Sequence, residues 1–456
     1  MKSIPLVSRS SLRRLAAMLL PILAALGLVT TAVLLPAPRV ARAEADSFGL
    51  GTGRDGPLTV TSPGLVVNSY AQVTAPLAPG DALVAVSTST GFAAGDLVML
   101  LQTTGLAPEP ESGAPETIDL ADDQVGRWEL ARLAAAGGTT ITLTAPLAHA
   151  YAAIATQIIR VPEYTTVTVN AGASITAPAW NGGTGGVVAF LASGTLTNGG
   201  QIRANGRGFR GGAYVDDPIG STGCDDLDQP APSGARKGEG IANTSYGSSS
   251  AGRGNLANGG GGGDCFKAGG GGGGNGGAGG MGGRADSALD GMRDVGGLGG
   301  AALSYSLLDH LTFGGGGGAG HGVDGTGQPG GAGGGAIFIR AGQLAGAGTI
   351  SAVGASPGPA ESDAGAGGGA GGSIYLRVAG DASCSGVVAN GGIGGDTYQS
   401  PSSVGPGGGG GGGRVLFQSA GGACPIAVVG AASGRQPDIQ APGGVSYGAG
   451  AGAAGV

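Results

Sequence analysis

The residues whose spacing points most directly to chemistry are the four cysteines of the chain. In an exported protein, four cysteines favour two disulfides and allow three connectivities. Cys384 and Cys424 occupy almost equivalent places in two consecutive copies of a repeat, about 4.8 Å apart if the copies stack, which suits a disulfide. That leaves Cys224 to pair with Cys265 inside a glycine-rich insertion. A thiolate metal site is disfavoured, because no Cys-x-x-Cys motif or Cys/His cluster accompanies them.

The acidic residues offer one cluster and two isolated carboxylates. Asp225, Asp226 and Asp228 lie beside a cysteine and have the oxygen ligands that calcium prefers. A solvated loop is the favoured interpretation, because one cluster lacks the repeated Gly/Asp spacing of calcium-bound β-rolls. Glu129 and Glu163 have no identifiable partner in the sequence. We therefore predict no metal site and no cofactor.

Histidines and arginines give no catalytic constellation. Three histidines stand apart and are predicted to be surface or loop residues: His149, His310 and His321. Polysaccharide lyases and hydrolases built on β-helices need clustered Asp/Glu or Arg/Lys on successive coils. Three residues approach that pattern, although at different positions of the repeat: Arg203, Arg340 and Arg377. Their alternative role is solubility at strand edges. We predict no enzyme and no catalytic residue.

The elements that must position these residues come from a repeat of two short apolar strands, preceded by glycine. The second strands of its four copies begin at Ile202, Ile350, Val387 and Ile426. The last three recur at a near-constant spacing of about 38 residues, which is typical of a solenoid. One copy alone cannot bury its apolar side, so we expect the copies to stack in parallel with these four residues in line. The predicted fold is all-β, a right-handed parallel β-helix preceded by a small β-rich domain.

Changes in glycine content and in strand pattern along the chain predict its domain organisation. The N-terminal domain has alternating strand-like segments separated by turn residues, at 81–86, 96–101, 139–143 and 156–161. Within it, 106–124 is expected to be a surface loop and 127–132 a strand or a short helix. The predicted boundaries are a signal peptide at 1–43, the β-rich domain at 47–165, first β-helix coils at 166–206, a glycine-rich insertion at 207–330, β-helix repeats at 331–432 and a Gly/Ala-rich tail at 433–456.

The insertion has a three-residue period between Asn275 and Arg284, where Gly-Gly pairs separate the other residues. Polyproline II has three residues per turn, so this period places the side chains on one edge and leaves two bare glycine edges for packing. A small bundle of polyglycine II helices is one interpretation, and a flexible glycine linker is the other. The sequence favours neither.

The first residues resemble a secretory signal. Residues 2–14 are basic, 15–35 are apolar with one proline, and Ala41-Arg42-Ala43 has the small-x-small spacing that signal peptidase recognises. We predict cleavage after Ala43, with an uncleaved membrane anchor as the alternative. The product is expected to be extracellular or on the cell surface, with no stable membrane span after cleavage.

Composition narrows the range of partners. Of 456 residues, 105 are glycine and only 12% are charged, which suggests thin layers of small residues more than a thick core. The net charge is −7, and residues 1–43 hold six of the 23 basic residues and no acidic one. The exported body is therefore strongly acidic, which argues against nucleic acid or anionic lipid as a partner.

Several motifs in the first half resemble a known family. They lie at 95–98, 102–105, 126–129, 160–164, 179–186 and 205–212, and the similarity covers roughly 65–215. In this order they resemble the glycine-rich exported surface proteins of gliding bacteria, the family of the myxobacterial adventurous gliding motility protein AgmC. The resemblance implies an envelope or cell-surface protein linked to motility or adhesion. It supplies no catalytic residues.

The sequence therefore predicts an exported, non-enzymatic structural or adhesion protein, linked to gliding motility or to matrix or glycan binding. Its expected partners are glycans, extracellular matrix or envelope proteins. The alternative is a polysaccharide-degrading β-helix enzyme, a lyase or a hydrolase.

Overall fold

The computed structural model describes residues 49–114, 116–217, 226–228, 235–242, 250–288, 294–323, 325–398, 402–437 and 444–456. All the regular secondary structure in these ranges is β-strand, with no α-helix among the described residues, which confirms the all-β class. No helix long and apolar enough to cross a membrane occurs among them. The predicted signal peptide at 1–43 lies outside the described residues.

The strands are mostly short. In chain order they are β1 (Leu58–Val60), β2 (Leu65–Val66), β3 (Tyr70–Gln72), β4 (Leu83–Ala85), β5 (Leu97–Gln102), β6 (Ile118–Asp119), β7 (Trp128–Gly137), β8 (Thr140–Leu143), β9 (Thr156–Arg160), β10 (Glu163–Tyr164), β11 (Val167–Val169), β12 (Ser174–Thr176), β13 (Val187–Asn198), β14 (Gln201–Arg203), β15 (Leu303–Ser304), β16 (Ala336–Ala345), β17 (Thr349–Ser351), β18 (Ser373–Val378), β19 (Asp381–Ser383), β20 (Gly386–Val388), β21 (Arg414–Gln418), β22 (Gly421–Ala423) and β23 (Ile426–Ala427).

Two parallel sheets take alternate strands from the chain. The first sheet has the order β1-β11-β13-β16-β18-β21, and the second has the order β2-β12-β14-β17-β20-β23. We call one strand of each sheet, with the segment that joins them, a coil. Ile202 pairs with Ile350, Ile350 with Val387, and Val387 with Ile426, which confirms the predicted register. The long insertion does not interrupt the stack, because β13 pairs directly with β16.

Apolar side chains from both sheets form one core between them. Alternate residues of a strand point to opposite faces, so each strand contributes every second residue. The first sheet supplies Phe190, Ile339 and Leu376, and the second supplies Ile202 and Ile350. All five are fully buried. This core is what the repeated apolar pattern of the sequence encodes.

The stack begins earlier than the sequence predicted. β1 and β2 lie within the predicted N-terminal domain, yet they pair with β11 and β12 and form the first coil. An antiparallel sheet of order β3-β9-β5-β7-β8-β4 is inserted between this coil and the next. In the segment 127–132, which could have been a strand or a short helix, residues 128–132 belong to a strand, β7. Part of the predicted surface loop at 106–124 forms β6, which pairs with β15.

The antiparallel sheet covers the outward face of the first parallel sheet. Met99 and Trp128 from the antiparallel sheet join one buried cluster with Ala189, Phe338 and Tyr375 from the parallel sheet. The Trp128 ring lies 4.9 Å from that of Phe338, edge to face. This contact places β7 directly above β16 and β18.

Glycine runs form a third structural part, which we call the glycine layer. Successive amides of one run bond to different neighbours: Gly271 donates to Gly261, Gly272 to Gly280, and Gly273 to Gly368. These described runs are buried and hydrogen-bonded, unlike a flexible linker. The layer extends beyond the predicted insertion and comprises residues 258–283, 296–301, 314–320, 330–335, 364–372, 391–395, 405–413 and 450–456.

Many glycines of this layer leave no room for a side chain. A Cβ atom on Gly315 would lie 1.8 Å from the carbonyl oxygen of Asn258, and one on Gly273 would lie 2.0 Å from that of Gly315. The α-carbons therefore face carbonyl oxygens directly, the arrangement of Cα–H···O contacts between neighbouring extended chains. Only glycine permits so close an approach of backbones.

Candidate functional site

Three arginines lie on the outward face of the first parallel sheet, the face on which the antiparallel sheet packs. They belong to the last three strands of the parallel sheet, β16, β18 and β21. Arg340 of β16 pairs with Arg377 of β18, which pairs with Gln418 of β21. Arg414 opens β21 and lies on the same face, because it precedes Gln418 by an even number of residues. We call Arg340, Arg377, Arg414 and Gln418 the arginine row.

Arg340 is the buried end of the row. Its side chain is 1% exposed, and its guanidinium carbon lies 5.0 Å from the ring of Phe338, 5.5 Å from that of Tyr375 and 6.0 Å from that of Trp128. A guanidinium over aromatic faces is attracted to their π electrons, more strongly where water is excluded. Arg340 therefore adds fixed positive charge beneath its neighbours but is covered by the antiparallel sheet.

Arg377 is half-exposed and is held from both sides. Its Nη1 donates to the Tyr375 hydroxyl at 3.0 Å, and its Nε donates to Oε1 of Gln418 at 2.8 Å. Arg340 Nε donates to the same tyrosine hydroxyl at 3.3 Å. Tyr375 thus links the two arginines and fixes their spacing across neighbouring strands.

Arg414 is fixed by a different set of contacts. Its guanidinium lies 4.5 Å from the ring of Tyr305, and Nη2 donates to the Leu303 carbonyl at 2.6 Å. The Tyr305 hydroxyl donates to Asn275 Oδ1 at 2.8 Å, within the glycine layer. A buried hydrogen-bond network therefore ties this arginine to the layer, and the half-exposed guanidinium keeps one position.

The arrangement suits an anionic ligand. Planar guanidinium groups can form two parallel hydrogen bonds to a carboxylate or sulfate, and such charge-assisted bonds are stronger than neutral ones. Because Arg377 and Arg414 are held by neighbours, little side-chain entropy is lost when they bind. Gln418, which is exposed beside them, can add a neutral donor and acceptor.

Arg203, the third arginine that the sequence singled out, lies elsewhere. It pairs with Ser351 in the second parallel sheet, so it does not join Arg340 and Arg377. Together with Ser174 and Gln201 it lines a surface cavity of about 370 Å³. The sequence missed Arg414 and Gln418. Their signal was available, since the copies align Ser373 with Arg414 and Arg377 with Gln418.

The two carboxylates that lacked partners in the sequence have partners in the structure. Glu163 accepts from Arg132 Nη1 at 2.7 Å and from Nη2 at 3.1 Å, and from the Thr52 amide at 2.8 Å. Burial raises the pKa of Glu163, but these bonds outweigh it and leave the pKa below its usual value. Glu129 accepts from the Ala148 amide at 3.0 Å, and burial raises its pKa. The expectation of isolated carboxylates was wrong.

The histidines also differ from expectation. His310 is fully buried, with Nδ1 2.9 Å from Asp309 Oδ1, and His321 is 1% exposed. Neither side chain is on the surface, but both residues lie outside the strands, in loop segments, as the prediction also allowed. His149 is half-buried, and burial, together with the nearby Arg127 and His310, lowers its pKa.

The cysteines and the acidic cluster can be placed in part. Cys384 and Cys424 form a disulfide with a Cα–Cα distance of 5.1 Å. Cys265 is disulfide-bonded, and its predicted partner Cys224 lies outside the described residues, as does Asp225. Asp228 forms an ion pair with Lys237. Among the described residues, no three His, Cys, Asp or Glu side chains form a group that could hold a metal, a finding that includes Asp226.

Comparisons with known proteins give little. No family model matches the chain, and no curated protein matches it. The tailspike gp49 of Pseudomonas phage LKA1 is similar at 12% identity over 32% of this chain and 31% of that chain, with a TM-score of 0.16. The tailspike gp61 of Pseudomonas phage phi297 is similar at 10% identity over 84% of this chain and 55% of that chain, with a TM-score of 0.18. The Gp54 tailspike of Acinetobacter baumannii phage AP22, in complex with a capsular saccharide of that bacterium, is similar at 8% identity over 88% of this chain and 65% of that chain, with a TM-score of 0.19.

The chain spans less than two thirds of the length of each of these structures. At TM-scores of 0.16 to 0.19, these similarities support no inference about its fold or its function.

Proposed function

We propose that the chain is an exported, non-enzymatic structural or adhesion protein that binds acidic glycans of a cell surface or matrix. The observation that carries the proposal is the arginine row. Arg377 and Arg414 are half-exposed, held in place by aromatic and amide neighbours, and backed by the buried charge of Arg340. The row places three arginines on one face of a chain whose net charge is −7.

The proposed architecture behind this surface is a right-handed parallel β-helix with polyglycine II helices packed beside it. Alternate strands in two parallel sheets support the first part. Successive glycine amides that bond to three different neighbours support the second, because a helix of three residues per turn directs its amides in three directions. Backbone hydrogen bonds link neighbouring segments in both parts, so the arginine row would be presented on a hydrogen-bonded scaffold.

The proposed location is extracellular or on the cell surface, after cleavage behind Ala43. The Cys384–Cys424 disulfide is consistent with an oxidising compartment. A link to gliding motility is part of the proposal only because of the family resemblance. Adhesion to an acidic matrix is the activity that would connect glycan binding with motility.

Binding to purified polysaccharides tests the proposal. The full chain, purified with its disulfides formed, should bind carboxylated or sulfated glycans saturably, and added salt should weaken binding. Arg377→Ala should weaken it at least about tenfold, since a charge-assisted hydrogen bond contributes roughly 1.5–3 kcal/mol. Arg203→Ala is the matched control, a half-exposed arginine on the other sheet, and should bind like the wild type.

Two results would contradict the proposal. One is equal affinity for neutral and acidic glycans, and the other is an equal loss of affinity in Arg377→Ala and Arg203→Ala. Either would show that the arginine row does not determine binding. Shortening of the same polysaccharides on prolonged incubation would instead favour the alternative function, a polysaccharide lyase or hydrolase.

A further inference from the structure

The two half-exposed arginines of the row, Arg377 and Arg414, lie at opposite ends of one strand, β21. Arg377 is bonded to Gln418 where β21 ends, and Arg414 begins the same strand. Gln418 comes four residues after Arg414, and a strand rises about 3.3 Å per residue, so their α-carbons are roughly 13 Å apart. Side chains stand nearly perpendicular to a sheet, so the two guanidinium groups have a spacing of this order.

The surface between the two ends is apolar. Leu416 lies between Arg414 and Gln418 on the same face of β21, because alternate residues of a strand share a face. It is half-exposed and packs against the buried cluster that includes Trp128 and Tyr375. An acidic group placed over Leu416 would lose water and gain no hydrogen bond from it, whereas the C–H face of a sugar would lose little. The surface therefore favours two acidic groups held apart over one at its centre.

Each end can hold one acidic group by itself. Oε1 of Gln418 accepts from Arg377, which directs the NH2 group of Gln418 away from that arginine. One acidic group can therefore receive hydrogen bonds from Arg377 and from Gln418 together. At the other end, the Leu303 carbonyl and the Tyr305 ring fix Arg414. These fixing contacts involve different residues, so the two ends form two separate subsites.

We infer that the arginine row binds an acidic oligosaccharide segment that lies along β21 and is held at both ends. One acidic group would bind Arg377 and Gln418, a second would bind Arg414, and the sugars between them would cover Leu416. Adjacent sugars of a chain hold their acidic groups closer together than these two arginines, so the two groups must come from sugars that are not neighbours. This inference rests on the proposed function, because it specifies which acidic glycans the same surface binds.

Equilibrium binding of galacturonic acid oligomers to the full chain tests the inference, with the oligomer length increased from a single sugar upward. The dimer carries two carboxylates on adjacent sugars, so it should bind little more tightly than the monomer. Oligomers long enough to reach both subsites should bind on the order of a hundredfold more tightly, because the second contact becomes intramolecular. The affinity should therefore rise in a step at one length and not gradually with the number of carboxylates.

Variants of one subsite should abolish this step. Arg414→Ala leaves the subsite at Arg377, so it should bind the dimer within about twofold of the wild type and bind long oligomers no more tightly than the dimer. Arg414→Gln is the second variant, because it removes the charge but keeps a side-chain donor beside Leu303, and it should abolish the step as well. Arg203→Ala is the matched control, a half-exposed arginine of the second parallel sheet, and should keep the step.

A gradual rise in affinity from the monomer onward would overturn the inference, and so would a step that both Arg414 variants retain. In either case the proposed function would stand if Arg377→Ala still weakened the binding of acidic polysaccharides. If the full chain bound no acidic polysaccharide of any length, the proposed function and this inference would both be wrong. Unchanged dimer binding and an unchanged unfolding midpoint for the Arg414 variants would verify that their fold is intact.

Discussion

Replacing one glycine of the glycine layer tests whether close backbone packing stabilises the protein. In Gly315→Ala, the new Cβ would lie 1.8 Å from the Asn258 carbonyl oxygen, well inside van der Waals contact. The two segments must separate by more than about 1 Å to accommodate it. One backbone hydrogen bond joins these segments directly, from Gly260 to Gly316 at 2.8 Å, and two more join them through a third segment, from Gly274 to Asn258 at 2.7 Å and from Gly315 to Gly274 at 3.0 Å.

A separation of this size lengthens such bonds beyond hydrogen-bond range. Each buried group left without a partner costs about 1–3 kcal/mol. Loss of two or three bonds therefore predicts a destabilisation of roughly 3–6 kcal/mol. The smaller freedom of alanine in the unfolded chain offsets about 0.4–1 kcal/mol of this.

Guanidinium unfolding measures the effect, with Gly137→Ala as the matched control. Gly137 ends β7, and a Cβ there would meet nothing within 4 Å. The control should gain no more than about 1 kcal/mol, from the smaller freedom of alanine in the unfolded chain alone. If Gly315→Ala stays within about 1 kcal/mol of this control, the close approach does not contribute to stability and the reasoning is wrong.

Three further changes have directions fixed by named contacts. Glu129→Gln should stabilise the protein by about 1 kcal/mol at neutral pH, with a smaller gain in acid. Burial raises the folded-state pKa of Glu129, so the stability that its protonated carboxyl provides is present below the unfolded-state pKa and is lost as pH rises through the folded-state pKa. Thermal unfolding of both proteins as a function of pH measures this difference. Replacing Cys384 and Cys424 by serine should cost about 4 kcal/mol, since the disulfide closes a loop of sequence separation 40, and reducing agent should then lower the melting temperature of the variant less than that of the wild type. Tyr375→Phe removes the hydroxyl that accepts from two arginines and should cost about 1–3 kcal/mol in unfolding free energy while weakening acidic-glycan binding, and unchanged values in both assays would contradict the assigned linkage.

The stacking register was predictable because it depends on local patterns. Each copy has apolar residues with a period of two, and the last three copies recur at nearly constant spacing, so Ile350, Val387 and Ile426 could be aligned by sequence alone. The first coil was not predictable. β1 and β2 have three and two residues, and the antiparallel sheet separates them from the next coil.

The side-chain partners were less predictable than the strands. Arg132 of β7 meets Glu163 of β10, which closely follows β9 in the chain, because β7 and β9 flank the same strand, β5, and nothing in the sequence gives that order. The glycine layer was recognisable only between Asn275 and Arg284, where other residues mark the three-residue period. Elsewhere a run of glycines has no sequence pattern from which its neighbouring segments could be assigned. In the structure a run such as Gly271–Gly273 bonds to several neighbouring segments.

The hydrogen bonds of the glycine layer have a mechanical consequence. A strand peeled from the edge of a sheet breaks its bonds one after another, so the force needed at any moment is small. A run such as Gly271–Gly273 is bonded to three separate segments, so pulling it out requires breaking bonds in several directions at the same time. Shear on the protein would therefore be resisted by the whole layer, and a protease would find no side chains to recognise within its glycine runs and no single segment easily drawn into its active site.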